Sequence, residues 1–178
     1  LPVARLMSFA SPASEPVEWQ GSLSTETRVK GNVDQGFSLE GKTGYSKLGA
    51  KRRALQSPQV DGEVHLKADY KPQSGALQLQ QAELRMPAST LSVTGSIVGL
   101  SGDSALDLHI EAPRLAFDDL IKLAAVLGQG APDGVQASGN GQLNLQVSGS
   151  SKKPQVAGEA RLMDVAIRYP GLADKITL

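Results

Sequence analysis

The chain has 178 residues, 18 basic against 18 acidic side chains, and no cysteine. Because charges of both signs are mixed along the chain, it lacks the one-sided basic surface typical of nucleic-acid binders, and we expect no nucleic-acid partner. The absence of cysteine excludes disulfides and thiolate chemistry. Aromatic residues make up only 4%. This composition leaves a thin core for an ordinary globular enzyme, whereas a long sheet with one apolar face tolerates it.

No apolar run in the sequence approaches the ~20 residues that a membrane-spanning helix needs. The chain begins at Leu1 and ends at Leu178, directly after "ADKIT". We therefore expect residues 1–178 to form one unit that is a segment of a longer polypeptide.

The first predicted strand lies in "VEWQGSLSTETRVKG", and it is followed by "GFSLEGKT" at residues 36–43. The second stretch matches G-x-x-x-x-G-K-[ST], the loop that cradles nucleotide phosphates between a buried strand and a helix. Its flanks are too polar for that context, and Phe37 and Leu39 alternate with Ser38 and Glu40 as in a strand. We therefore interpret it as a strand. Residues 46–55, "SKLGAKRRAL", are ambiguous between a loop and one or two helical turns.

Period-two alternation of apolar and polar residues continues along most of the chain. It predicts half-buried strands in "VDGEVHLKADY", "TLSVTGSIVG", "SALDLHIEA" and "ASGNGQLNLQVSG". In "LQLQQAELRM" and "VAGEARLMDVAIRY" the alternation changes phase, which predicts a β-bulge in each strand. In the second, the apolar face passes from Ala160 and Leu162 to Met163, Val165 and Ile167. Turn residues between the strands favour a meander of antiparallel neighbours.

One helix is predicted near residues 117–127, in "FDDLIKLAAVLG". Asp118 and Asp119 lie in its first turn, where carboxylates stabilise a helix, and Gly128 provides a stop. We expect this helix to pack across one end of the sheet. The segments "PQVDGEVHL" and "PQVAGEARL" also repeat one strand-opening pattern, P-Q-V-x-G-E-x-x-L.

The residues that suggest chemistry have a simpler interpretation in each case. His65 and His109 lie on the polar faces of predicted strands, without the ligand spacing of a metal site. Ser150 and Lys153 match S-x-x-K but lie in an evident turn. We therefore expect no catalytic residue, metal, nucleotide or cofactor. The basic group Lys47, Lys51, Arg52 and Arg53 fits a solvated loop, or alternatively a contact with anionic headgroups or with an acidic surface of a partner.

Residues 88–176 contain, in order, a strand with "LDLHI", the helix "DDLIKLAAVLG", the strand "ASGNGQLNLQVSG", the turn "PQVAG" and the strand "LMDVAIRYPGL". This order of motifs resembles the C-terminal region of AsmA-like proteins of Gram-negative envelopes. Residues 15–87 share only the general style of the strands. The family assignment therefore depends on motif order more than on any single motif.

The resemblance implies a mainly β fold, a long coiled antiparallel sheet forming an open trough with one short helix. It implies a periplasmic location, with the full-length protein anchored in the inner membrane by an N-terminal helix. It also implies that the trough conducts phospholipids between the two membranes, with acyl chains, adjoining segments of the full-length chain and outer-membrane assembly proteins as partners. The candidate lipid-contacting residues are Phe37, Leu39, Val64, Leu66, Leu91, Val93, Leu106, Leu108, Leu143, Leu145, Val147, Val165 and Ile167.

Two alternatives remain at this point. One is a structural β-solenoid whose apolar face packs into a closed core, and the other is an assembly module for outer-membrane proteins that transports no lipid. The uneven lengths of the predicted strands argue against the solenoid, because a closed solenoid requires regular rungs.

Overall fold

The computed structural model describes residues 17–32, 34–52, 55–100, 102–127, 136–168 and 176–177. These residues form one antiparallel sheet and a single short helix. Eight strands are long: β1 (Glu18–Asn32), β2 (Gly36–Arg52), β4 (Val60–Lys71), β5 (Ala76–Arg85), β6 (Thr90–Val98), β7 (Ala105–Ala116), β8 (Gln136–Ser150) and β9 (Lys153–Arg168). Two strands are only two residues long, β3 (Leu55–Gln56) and β10 (Ile176–Thr177), and the helix α1 spans Phe117–Leu127.

The long strands follow one another in the sheet in chain order, β1-β2-β4-β5-β6-β7-β8-β9, with β10 beside β9 and β3 beside β2. The predicted fold class is therefore confirmed: a mainly β chain whose antiparallel sheet forms an open trough, with a helix at 117–127. The meander is confirmed as well. Because β1 and β9 lie at opposite edges of the long-strand sheet, the trough has two separate rims.

Strand pairing gives the sheet one continuous apolar face. Residues directly opposite each other in an antiparallel ladder point to the same side of the sheet. One such row runs Val29, Leu39, Ala68 and Leu79, and the next runs Leu84 to Leu91 across β5 and β6. A third runs Val93, Ile110, Leu145 and Gly158. We call this side the apolar face, and the side that carries Lys42, Glu63 and His65 the polar face.

Four β-bulges keep the apolar face intact while they bend the strands. The bulges predicted in β5 and β9 are confirmed, since extra residues lie opposite Lys67–Ala68 of β4 and Ser138–Asn140 of β8. Two more occur in β2 at Lys47 and in β7 near Pro113. The bulge residues Lys47 and Asp164 have φ angles of 50° and 53°. Three of these bulges, in β2, β7 and β9, lie at the same end of the sheet, where they increase its coiling.

Two smaller expectations were wrong. The described part of residues 46–55 is neither loop nor helix, because β2 continues to Arg52 through its bulge and β3 begins at Leu55. Met163, expected on the apolar face, pairs with Asn140 on the polar face and is 44% exposed. The bulge one residue later restores the phase, so that Val165 is buried. Arg53 and Gly128 lie outside the described residues.

The helix α1 closes one end of the trough. It packs against β8 and also touches β2, β4 and β7. In a flat sheet β4 and β7 would be about 14 Å apart and β2 and β8 about 24 Å apart. A helix about 10 Å wide contacts both pairs only because the sheet curls around it.

Candidate functional site

The apolar face differs sharply in burial between the end that α1 covers and the remainder. At the covered end Tyr45, Val60 and Val126 form a buried cluster, against which Trp19, Leu23, Leu48 and Leu84 pack. We call this cluster together with α1 the capped end. Val126 and Ser89 are the largest side chains that are fully buried in the described part of the chain. The core of this molecule is therefore small and local.

The rest of the apolar face we call the open half. It extends along the strands from Thr43 and Val64 to Phe37 and Tyr70, and across the sheet from β1 to β9. Most of its large side chains are half-buried, and those on the rims are exposed: Val29 61%, Val156 61% and Leu162 58%. Apolar side chains that no protein atoms cover are typical of a surface that binds another molecule.

Of the thirteen candidate residues, twelve have described side chains, and strand pairing places these on the apolar face. Leu39 pairs with Ala68, and Leu66 pairs with Gly41. Leu108 pairs with Val147. Val64 is 36% exposed, whereas Val165 is buried at the capped end. Ile167 takes the position opposite Ala137 in the ladder. The full set of these twelve is Phe37, Leu39, Val64, Leu66, Leu91, Val93, Leu106, Leu108, Leu143, Leu145, Val147 and Val165.

Several residues of the same face were not among the candidates. On β5 the phase change obscured Leu77, Leu79 and Leu84, which the ladder places between β4 and β6. Tyr70 stacks on Phe37 with ring centroids 6.1 Å apart at the far end of the open half. The signal in the sequence was the alternation in "LQLQQAELRM", read separately on each side of its bulge.

The polar face is held by ion pairs. Glu63 accepts hydrogen bonds from Lys42 Nζ and His65 Nε2, both at 2.8 Å, and lies near Arg85, which pairs with Glu83. These bonds, that from Lys42 first, lower the pKa of the Glu63 carboxyl below its ordinary 4.5. This network confirms that His65 lies on the polar face, where it contacts Glu63.

A depression of about 400 Å³ lies on the polar face of β1, β2 and β4. Its lining mixes cations and anions, because Arg28, Lys42 and Lys67 alternate with Glu26 and Glu40. Such a lining does not select a ligand of either charge. The apolar face, in contrast, selects by chemistry, since apolar groups lose contact with water there.

The stretch "GFSLEGKT" lies within β2 and is extended throughout. Phe37, Leu39 and Gly41 pair with Tyr70, Ala68 and Leu66 of β4. A phosphate loop needs consecutive backbone N–H groups converging on one point, and a paired strand directs them alternately to its two neighbours. The interpretation of this stretch as a strand is confirmed.

The other sequence motifs are structural as well. Asp118 and Asp119 lie in the first turn of α1, as predicted. Ser150 donates a hydrogen bond to Asp103 at 2.6 Å beside the turn at Ser151–Lys152. Lys51 pairs weakly with Glu18, at 3.9 Å. Among the residues described, no group of three or more His, Asp or Glu side chains is arranged to hold a metal ion.

Within the same residues, no helix is long and apolar enough to cross a membrane. Comparison of the chain with models of known families, with curated proteins and with solved structures gives no match. The candidate site therefore stands on its own geometry, an apolar face that is closed at one end and open over the remainder.

Proposed function

We propose that the apolar face of the trough binds the acyl chains of phospholipids. In this proposal the chain is a periplasmic segment of an AsmA-like protein that conducts lipids between the inner and outer membranes. The observation that carries the proposal is the open half, where apolar side chains of neighbouring strands are joined into one surface and left partly exposed.

The dimensions of the open half suit a hydrocarbon chain. From Phe37 to Thr43 the strand rises through six residue steps, or about 20 Å, whereas one leaflet of a bilayer is about 15 Å deep. The long strands together are about 34 Å wide. Each methylene group removed from water contributes ~0.8 kcal/mol, so a chain lying on this surface is held without any specific polar contact.

The two faces of the sheet give the trough a defined inside and outside. The polar face carries the Lys42–Glu63–His65 network and is satisfied in water. The apolar side chains of the other face cannot form hydrogen bonds with water, and a lipid chain would cover them. Because the surface recognises only hydrocarbon, we expect low selectivity among acyl chains.

The edges of the sheet support a longer trough. A long unpaired edge exposes backbone N–H and C=O groups to pairing with other strands. Among the described residues, β9 pairs on this side only with β10, at Ala166 and Ile167, and its residues from Lys153 to Asp164 are exposed. We propose that adjoining segments of the full-length chain pair there, and that outer-membrane assembly proteins act beyond this segment.

Photocrosslinking in cells tests the proposal. Photoreactive residues are placed at Val64, Leu66 and Leu145 on the apolar face, with Lys67 and Asn144 on the polar face as matched neighbours. The expected result is phospholipid adducts at the first three positions and none at the other two. The adducts are measured by mass spectrometry of the purified protein.

Equal labelling of both faces, or absence of labelling at both, would contradict the proposal. The exchange Leu145→Asp is a second measure, because a charge in the path opposes the passage of hydrocarbon. We expect the protein to fold and lipid adducts at Leu66 to decrease. Unfolding of Leu145→Asp would instead favour the closed core of a structural solenoid, since a half-exposed position tolerates a charge.

A further inference from the structure

Few side chains of α1 are fully buried against the sheet. Val126 is fully buried, but Leu120, Ile121 and Leu123 are only half-buried and Leu127 is 58% exposed. A helix of 11 residues is marginally stable alone, so its position depends on these contacts.

The beginning of α1 is held by two reciprocal hydrogen bonds to the tight turn between β5 and β6. Asp119 Oδ2 accepts a bond from the backbone N–H of Ala88 at 3.0 Å. Ser89 Oγ accepts a bond from the N–H of Ala116, the residue before α1, at 2.9 Å. Ser89 is completely buried and Asp119 is 7% exposed. We call these two bonds the clasp.

A polar atom beneath the helix has no partner. Tyr45 is 8% exposed, and its hydroxyl makes no hydrogen bond although its carbon skeleton packs in the buried cluster. An unpaired buried hydroxyl is less favourable than a hydrated one, because it has lost its hydrogen bonds to water. Movement of α1 away from the cluster would hydrate this group, so the closed arrangement carries a cost that displacement relieves.

A cavity lies beside the helix on the side of the last strands. Its volume is about 510 Å³, and it is lined by Ile121 and Lys122 of α1, by Pro58, and by the ends of β8 and β9. The helix is therefore not packed tightly on this side. The cavity leaves room for α1 to move in this direction.

From these observations we propose that α1 is a displaceable plug of the trough, and that the clasp sets how often it opens. The inference rests on the proposed function, because it specifies where the path of an acyl chain ends. With the plug closed, hydrocarbon lies on the open half and stops before Trp19. With the plug open, the apolar surface extends to Trp19, Leu48 and Val60.

Trp19 is the one tryptophan of the chain and packs against the capped cluster, so it reports directly on this end. The purified protein is incubated with vesicles of phosphatidylcholine whose acyl chains carry bromine, which quenches tryptophan fluorescence on contact. We expect weak quenching in the unaltered protein. Asp119→Ala, which removes one bond of the clasp, is expected to increase the open population about tenfold and to strengthen the quenching.

Asp118→Ala is the matched control, because it removes an acidic residue from the same helical turn. Asp118 is exposed and pairs with Lys122 on the surface. Its removal is expected to leave quenching unchanged. A second pair of measurements uses Ser89→Cys combined with Ala116→Cys, in a chain that has no other cysteine. The oxidised protein should show weak quenching, and reduction should increase it.

Equal quenching in Asp119→Ala, Asp118→Ala and the unaltered protein would overturn the plug, as would strong quenching in the oxidised double-cysteine protein. Photocrosslinking at Leu66 in the same samples separates this failure from that of the proposed function. If Leu66 captures no lipid, hydrogen exchange of the backbone amides of α1 provides the decision. Faster exchange in Asp119→Ala than in Asp118→Ala supports a plug without lipid. Equal exchange in the two variants overturns it. If Asp119→Ala does not fold, the oxidised and reduced double-cysteine proteins provide the same decision.

Discussion

The capped end and the open half are made of the same strands, yet only one of them has a core. At the capped end the curled sheet and α1 enclose Tyr45, Val60 and Val126, whereas a few residues further along the same strands Val64 is 36% exposed. Strand alternation alone therefore provides an apolar surface, and a second layer is needed to bury it. The capped end therefore stabilises the fold, while the open half of the same sheet leaves an apolar surface available to a ligand.

The two regions also differ in what holds the backbone. Bulges at Lys47, Pro113 and Asp164 bend the strands at the capped end, and packing against α1 compensates for the interrupted ladders. In the open half the ladder between β2 and β4 is regular from Phe37 to Thr43 and from Tyr70 to Val64, and the bulge in β5 is the interruption beside it. We therefore expect side-chain packing to dominate stability at the capped end, and backbone geometry to dominate it in the open half.

The largest effect is expected from a charge placed in the capped cluster. Val126→Asp should reduce the free energy of unfolding by about 4 kcal/mol or more, because it buries a carboxylate without a partner. Val156 lies on the rim of the apolar face and is 61% exposed, so Val156→Asp should change the free energy of unfolding by less than about 1 kcal/mol. Urea unfolding followed by circular dichroism measures both. Similar losses in the two variants would mean that the open half is also a core.

An intermediate effect is expected from a methyl group added to the backbone of the open half. Gly95 has a φ of 124°, and a Cβ there would lie 2.1 Å from the carbonyl oxygen of Asp107 on β7. Gly95→Ala should therefore cost about 2–3 kcal/mol. Gly44→Ala is the control, because a Cβ at Gly44 meets no atom within 4 Å. An equally tolerant response at Gly95 would show that the ladder in the open half is loose.

The smallest effect is expected at the unpaired hydroxyl of the capped end. Tyr45→Phe should raise the free energy of unfolding by about 1 kcal/mol, because it removes a buried hydroxyl without a partner. Tyr70→Phe, in the half-buried stack with Phe37, should change stability little. A loss of stability in Tyr45→Phe would mean that this hydroxyl is bonded in solution.

The Tyr45 hydroxyl also makes the free energy of unfolding depend on pH. Burial, followed by the carboxylates Asp119 and Asp61, raises the pKa of Tyr45 above its ordinary 10.0. The folded protein then keeps the proton when the unfolded chain has lost it, so stability is fully present below pH 10.0 and falls as the pH rises above it. Unfolding measured from about pH 9 to about pH 11 should show this decline, and Tyr45→Phe should reduce it.

Much of the fold could be predicted because strands encode their two faces with a period of two residues. The alternation in "VDGEVHLKADY" placed Val64 and Leu66 together, and the acidic start at Asp118 and Asp119 located the helix. Bulges in β5 and β9 were visible as phase changes. The bulge at Lys47 was missed, because one extra polar residue among "SKLGAKRRAL" looks the same as a loop.

Between bulges the sequence by itself determined which residues share a face, since side chains alternate between the two faces along an unbroken strand. The tertiary structure alone decided which part of that face is buried. Tyr45 and Val60 are covered and Leu66 is not because of how far the sheet curls and where α1 lies against β8. Both depend on small contributions from bulges and strand twist, added over many strands. For the same reason the clasp between Asp119 and Ala88 could not be predicted, because it joins residues from distant turns that only the curled sheet brings together.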